Sequence, residues 1–114
     1  MPEFILIAER LVWWPVTVSV PLDGGGVEQQ DFEARFALIG DNAYQALVKA
    51  HGALQVDKPL LRRVLRDWRG VKDSSHEDLP VGDGTRDALI DITCVRLALT
   101  KAYLEAERGG PAKN

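Results

Sequence analysis

An α+β domain is the fold this sequence predicts: an N-terminal antiparallel β-hairpin, with a candidate extra N-terminal strand, packed against three or four α-helices. Three observations predict it. Two runs of period-two alternation flank the glycine-rich segment Leu22-Asp-Gly-Gly-Gly26, everything after Gly40 follows helical spacing or is polar loop, and the 114 residues suffice for one core but not two. The whole chain, residues 1–114, is therefore read as a single domain.

Phe4-Ile-Leu-Ile-Ala8 opens the chain as an apolar run followed at once by Glu9 and Arg10. It is far shorter than the ~20 apolar residues of a membrane span and lacks the charge order of a signal peptide. A short strand is the expectation, in a protein that stays in the cytoplasm. From Trp14 the pattern alternates: Val16, Val18 and Val20 face one way, Thr17 and Ser19 the other, with Pro15 and Pro21 expected to bracket the run. The glycines tolerate the positive φ of a turn, and Phe32, Ala34, Phe36 and Leu38 then share one face of a second strand. Its other face, Gln29, Asp31, Glu33 and Arg35, suits water or a hydrated partner surface.

Gly40-Asp41 ends that strand and offers the start of a short helix carrying Tyr44, Leu47 and Val48, with His51-Gly52 as its exit. Pro59 to Val71 reads as the central helix. Leu61, Val64, Leu65 and Trp68 recur at spacings of three and four, Asp57 is placed to cap the first turn, and Gly70 to stop the last. Residues 72–80 are polar and aperiodic and read as an exposed loop. Asp83 or Thr85 then caps a last helical region with Leu89, Ile92, Val95, Leu99, Ala102, Tyr103 and Ala106 inward; Thr93-Cys94 favours a break near Ile92, and Gly109-Gly-Pro111 a stop before a frayed end at 112–114.

Composition limits function. The chain is 46% hydrophobic and 27% charged with a net charge of -3, ordinary for a globular protein and without the basic excess of a nucleic-acid binder. One cysteine, Cys94, excludes an intrachain disulfide and a cysteine-built zinc site, and fits a reducing compartment. Gly24 to Gly26 precede a strand and not a helix, so a turn is favoured over a phosphate loop. The acidic stretch from Asp73 to Gly84 lacks the glycine at position six and the glutamate at position twelve that a calcium loop needs. His51 and His76 have no ligand or base partner at suitable spacing, and Ser19, Ser74 and Ser75 sit in no nucleophile elbow. No catalytic residue, cofactor site or metal site is assigned.

What stands out instead is surface. Arg62, Arg66 and Arg69, with Arg63 beside them, would share one side of the central helix, either solvated and paired with acids such as Asp67 or binding a partner. Trp13 and Trp14 are neighbours in a strand and so point oppositely, which leaves one of them outside the hairpin's core face and available to an interface. These five residues, Trp13, Trp14, Arg62, Arg66 and Arg69, form the candidate partner-binding set.

The order of several pieces resembles a known family. Trp14-Pro-Val-Thr-Val18, the Pro21-Leu-Asp-Gly-Gly25 turn, Phe32-x-Ala-Arg-Phe36, Leu60-Leu-x-Arg-Val64 leading to Trp68-x-Gly-Val-x-Asp73, and Ala102-Tyr-x-Glu-Ala106 with the terminal Lys-Asn are together similar to the tail assembly chaperones of long-tailed (siphovirus-type) bacteriophages and prophages, over residues 12 to 114. The resemblance implies a non-enzymatic chaperone that coats the tape-measure protein, helps recruit tail-tube subunits, self-associates, acts in the host cytoplasm and is absent from the mature virion. It also implies a frameshift-extended form of the chain, and Ala-Lys-Asn at 112–114 suits a slippery run of adenines. No nucleic acid or membrane is among the expected partners. The alternative is a structural tail component, a terminator or connector subunit, present in the virion. Phe4 to Ala8 and Ser74-Ser-His-Glu77 depart from the family pattern.

Overall fold

The structure, a computed structural model, describes residues 2–110. It is an α+β fold in which a three-stranded antiparallel sheet is covered on one face by helices. Strands β1 (Arg10–Pro21) and β2 (Val27–Leu38) form a long hairpin, closed at Leu22 to Gly26 by a Leu22 N–H to Gly26 carbonyl bond of 2.8 Å, with Gly24 and Gly25 at positive φ. Helices α1 (Asp41–His51) and α2 (Asp57–Val64) follow, then strand β3 (Leu65–Arg69), then α3 (Asp83–Asp91) and α4 (Thr93–Glu107). The sheet order is β1-β2-β3, so β1 lies at an edge.

The central helix expected over Pro59 to Val71 is two elements. Leu60, Leu61 and Val64 are the buried residues of α2, but Leu65 ends the helix and begins β3, which pairs antiparallel with β2. The register explains why the sequence misleads. Phe36 pairs with Leu65 while Arg35 pairs with Asp67, so Arg66 is an extra residue, a β-bulge. The bulge lets Leu65 and Trp68, three apart, both face the core, which imitates helical spacing. Arg66, Asp67 and Arg69 are left outside it.

Other expectations also shift. Phe4 to Ala8 forms no strand: residues 2–9 are an arm without regular structure, and β1 begins at Arg10 instead of beyond Pro15. Pro15 therefore lies inside the strand. It is tolerated because the Leu22 to Gly26 bond, carried along the alternating ladder, puts Pro15 opposite Glu33 in a pair that exchanges no backbone bonds, and its missing N–H would point off the edge. Neither Asp83 nor Thr85 caps α3, which starts from Gly82. Asp83 pairs with Arg86, and the Thr85 hydroxyl donates to the Pro80 carbonyl at 2.7 Å. Asp57 is the first residue of α2, not its N-cap; it accepts from the Lys58 N–H and holds Arg96 of α4 at 3.1 Å. The break at Ile92 is present, with that residue extended between α3 and α4.

The core lies between one sheet face and the helices. Val16, Val18, Ala34 and Phe36 from the hairpin meet Leu60, Leu61, Val64, Leu65, Trp68, Ile90, Leu99 and Tyr103. Each such large side chain contributes ~1.5–3 kcal/mol of burial. Two polar anchors pin this layer. The Trp68 indole N–H donates to the Leu79 carbonyl at 3.0 Å, tying the 72–80 loop to the sheet. That loop is ordered by its own bonds, with the Asp73 carboxylate accepting from the Ser75 and Glu77 N–H groups. The Tyr103 ring meets Phe36 edge-on at 5.5 Å, and its hydroxyl accepts from the Ile39 N–H while donating to Glu107. Burial, and then that bond to Glu107, push the phenol well above its ordinary value. The last described turn ends at Gly110, whose backbone lies so close to the Trp14 ring that an added Cβ would sit 3.2 Å from it. The expected stop at Pro111 and frayed end at 112–114 lie outside the described residues.

Candidate functional site

Strand alternation gives the sheet a second face, bordered by α4 at Pro15 and Thr17 and largely open beyond it, with only Ala37 fully buried there. Even-numbered residues of the hairpin point to the core, so Leu11, Trp13, Pro15, Thr17 and Ser19 of β1 and Gln29, Asp31, Glu33 and Arg35 of β2 point away from it. Cross-strand polar pairs order this face: Thr17 donates to Asp31 at 2.7 Å and Ser19 to Gln29 at 3.2 Å.

Trp13 is its centre. It stands opposite Arg35, whose guanidinium lies 5.9 Å from the indole ring centre, and Arg69 of β3 reaches across the sheet to lie 4.2 Å from it. Arg69 is held there by Glu33, its own cross-strand partner, through an Nε to carboxylate bond of 2.8 Å. That bond keeps the Glu33 carboxyl below its ordinary range. The Arg35 Nε is buried and has no hydrogen-bond partner. The result is an indole overlaid by the Arg69 guanidinium, with Arg35 near it and the Glu33 carboxylate bonded to Arg69, a cationic-aromatic cluster suited to a chain that offers carboxylates.

The arm before β1 adds apolar surface. Phe4 is 80% exposed and Leu6 87%, with Ile5 and Ile7 also open to solvent. Arg10 bonds the Ile5 carbonyl at 2.9 Å and lies 5.5 Å from the Phe4 ring centre, while Glu9 accepts both Nη groups of Arg66 at 3.1 and 3.0 Å. The arm is thus held at Glu9 and at the Ile5 carbonyl, while its apolar side chains stay open to solvent.

Of the five candidate residues, the fold brings two together, Trp13 and Arg69. Trp14 faces the helices under Gly110 and is no part of the open face. The three arginines do not share a helix side as expected. Arg62 is on α2, paired with Asp87 of α3 at 3.0 Å; Arg66, at the bulge, is engaged by the arm; only Arg69 meets Trp13. Arg35 and Glu33 complete the site. Their outward position was legible from the alternation of β2, but their neighbours were not, because that needs the register of three strands. Among the described residues, no three His, Cys, Asp or Glu side chains converge to hold a metal ion, and no helix is long and apolar enough to cross a membrane. His51 and His76 lie exposed, the second in the 73–77 turn, and Cys94 is a half-buried free thiol against the core. No family model matches the chain, and comparison with curated proteins and with solved structures gives no match.

Proposed function

We propose that this chain is a non-enzymatic tail assembly chaperone of a bacteriophage or prophage, which coats the tape-measure protein, helps recruit tail-tube subunits and works as a homo-oligomer in the host cytoplasm. The observation that carries the reading is the largely open sheet face, where Trp13 lies between Arg35 and Arg69 beside Glu33. Such a face can hold an amphipathic helical client reversibly: the guanidinium groups stacked on Trp13 take acidic side chains, and the exposed Leu11 beside them takes an apolar one. The exposed arm supplies more apolar surface. The ordered pieces from residue 12 to 114 that are similar to tail assembly chaperones supply the identity of the client. A frameshift-extended form of the chain belongs to the same proposal, and an A-rich heptamer at codons 112–114 of the gene with an open frame beyond is its requirement.

Co-expression with the tape-measure protein tests the reading. The wild-type chain is expected to keep that protein in the soluble fraction, and Trp13→Ala with Arg69→Gln to lose this while still unfolding cooperatively, at a somewhat lower melting temperature. Failure of the wild type to raise client solubility overturns the proposal. Client binding that survives reversal at Arg62, Arg66 and Arg69 together returns those arginines to a solvated role. The structural-component alternative separates by mass spectrometry of purified virions, in which a chaperone is absent and a terminator or connector subunit present.

A further inference from the structure

The charged groups of the open face are unequally engaged. Asp31 accepts the Thr17 hydroxyl, Asp67 accepts the Trp68 N–H, and Glu9 and Arg66 pair with each other. What remains is Arg35, Arg69 and Glu33 around Trp13. Arg69 donates its Nε to Glu33 at 2.8 Å, and its two terminal nitrogens have no acceptor among the described residues. Arg35 has none there either, at its terminal nitrogens or at its buried Nε. The Arg69 and Glu33 side chains are 57% and 46% exposed, so a ligand can reach both.

These donors define the ligand. The free edge of the Arg69 guanidinium presents two parallel N–H groups, the geometry that a carboxylate accepts in a bidentate pair. Its flat side rests on the Trp13 indole, which restricts the plane of the fork before a ligand arrives. Glu33 acts on this fork in two opposed ways. Its oxygen holds Arg69 over the ring, while its charge, kept ionised by that bond, opposes a second carboxylate at the same guanidinium.

We propose that Glu33 is a built-in competitor at an acidic-helix site: it positions Arg69 for a client carboxylate and, by its own charge, holds the affinity low enough for release. This rests on the reading of the face as the client surface. It adds which client side chains the face takes, glutamate or aspartate on an amphipathic helix, and which residue limits their binding. The effect is short-ranged, because charges exposed to solvent are screened beyond about 8–10 Å. It therefore acts on a ligand seated at Arg69 and not on the molecule at large.

Fluorescence anisotropy tests this with two labelled synthetic helices of about 20 residues, one with glutamate along its polar face and one with glutamine there. The wild-type chain is expected to bind the glutamate helix, and the glutamine helix roughly tenfold more weakly. Glu33→Gln keeps an oxygen to accept the Arg69 Nε and removes only the charge. It should bind the glutamate helix roughly two- to fivefold more tightly, with a steeper loss of affinity in salt, and leave the glutamine helix unchanged. The double variant Glu33→Gln, Arg69→Gln should bind no better than Arg69→Gln alone. Asp31→Asn removes a charge from the same face but from no guanidinium, and should leave the affinity nearly unchanged. In the wild type, the Arg69 Nε–H resonance should shift when the glutamate helix is added and stay in place with the glutamine helix.

Equal or weaker binding of the glutamate helix by Glu33→Gln overturns the competition. So does an equal gain from Asp31→Asn, an unmoved Arg69 resonance, or no binding of that helix by either chain. None of these results bears on whether the wild type solubilises a tape-measure protein. Failure of that solubility assay, with the peptide outcomes as expected, leaves an acidic-helix site limited by Glu33 whose client is another protein.

Discussion

Trp68 is the side chain on which sequence pattern and tertiary structure part company. Its burial follows from its place among apolar neighbours, but its backbone is extended and its indole N–H is bound by Leu79, eleven residues on. Trp68→Ala is expected to cost about 3–5 kcal/mol in denaturant unfolding. Trp68→Phe, which keeps most of the volume but strands the Leu79 carbonyl, should cost about 1–3 kcal/mol. Two titrations belong to this scale. The Tyr103 phenol is raised above its ordinary 10.0 by burial first and its bond to Glu107 second, so its proton is held more tightly in the folded state. Stability from it is complete below the ordinary value and is lost as pH rises beyond that value. In a Tyr44→Phe variant, near-ultraviolet absorbance should therefore show phenolate only on the alkaline side of 10, or together with unfolding. Glu33 has the opposite sign. Its carboxyl is held below 4.5 by the bond from Arg69, so the pair persists above that value and is lost as pH falls through the lower folded one. Because Arg69 lies over Trp13, fluorescence of a Trp14→Phe, Trp68→Phe double variant should change in that acid window, and Glu33→Gln should remove the transition.

At the level of elements, β3 shows how far a bulge can mislead. Were Leu65 to Trp68 a regular strand with no bulge at Arg66, those two residues, three apart, would point to opposite faces of the sheet, and one large apolar side chain would face water. β1 is the other instructive strand. It is long and lies at the sheet edge, where unpaired backbone groups invite another chain, and Pro15 interrupts that row at its middle. Pro15→Val restores the missing N–H and raises strand propensity. It is expected to increase turbidity on heating through edge pairing, with no loss in melting temperature; unchanged light scattering would refute a guarding role for the proline. The Ile92 break follows from propensity, since a β-branched residue before Thr93-Cys94 weakens the helix there. The break turns α4 to run along β1, with Ala102, Tyr103 and Ala106 buried.

Over the whole molecule, one layer of helices covers one face of one sheet, and both ends of that arrangement remain open: the Trp13 face outside and the Val18–Val71 cleft at the turn end. The sequence by itself determined the hairpin, its turn and its two faces, because strand alternation is a local property that needs no partner to be read. It likewise determined α1, the divided last helical region and most of the core, although Ile92, expected inward, is 49% exposed at the break, and the buried Leu60 and Ile90 escape the pattern. Tertiary structure decided the rest. That Leu65 to Arg69 is a third strand depended on β2 offering it a ladder, a preference that a five-residue segment with helix-like spacing cannot express alone. That Phe4 to Ala8 is an arm also shows only in the tertiary structure: its apolar run reads as a strand, yet neither edge of the sheet, β1 or β3, pairs with it. The meeting of Arg35, Glu33 and Arg69 around Trp13 depended on three strands in register, brought together across more than fifty positions of sequence by long-range backbone bonds that no local pattern encodes.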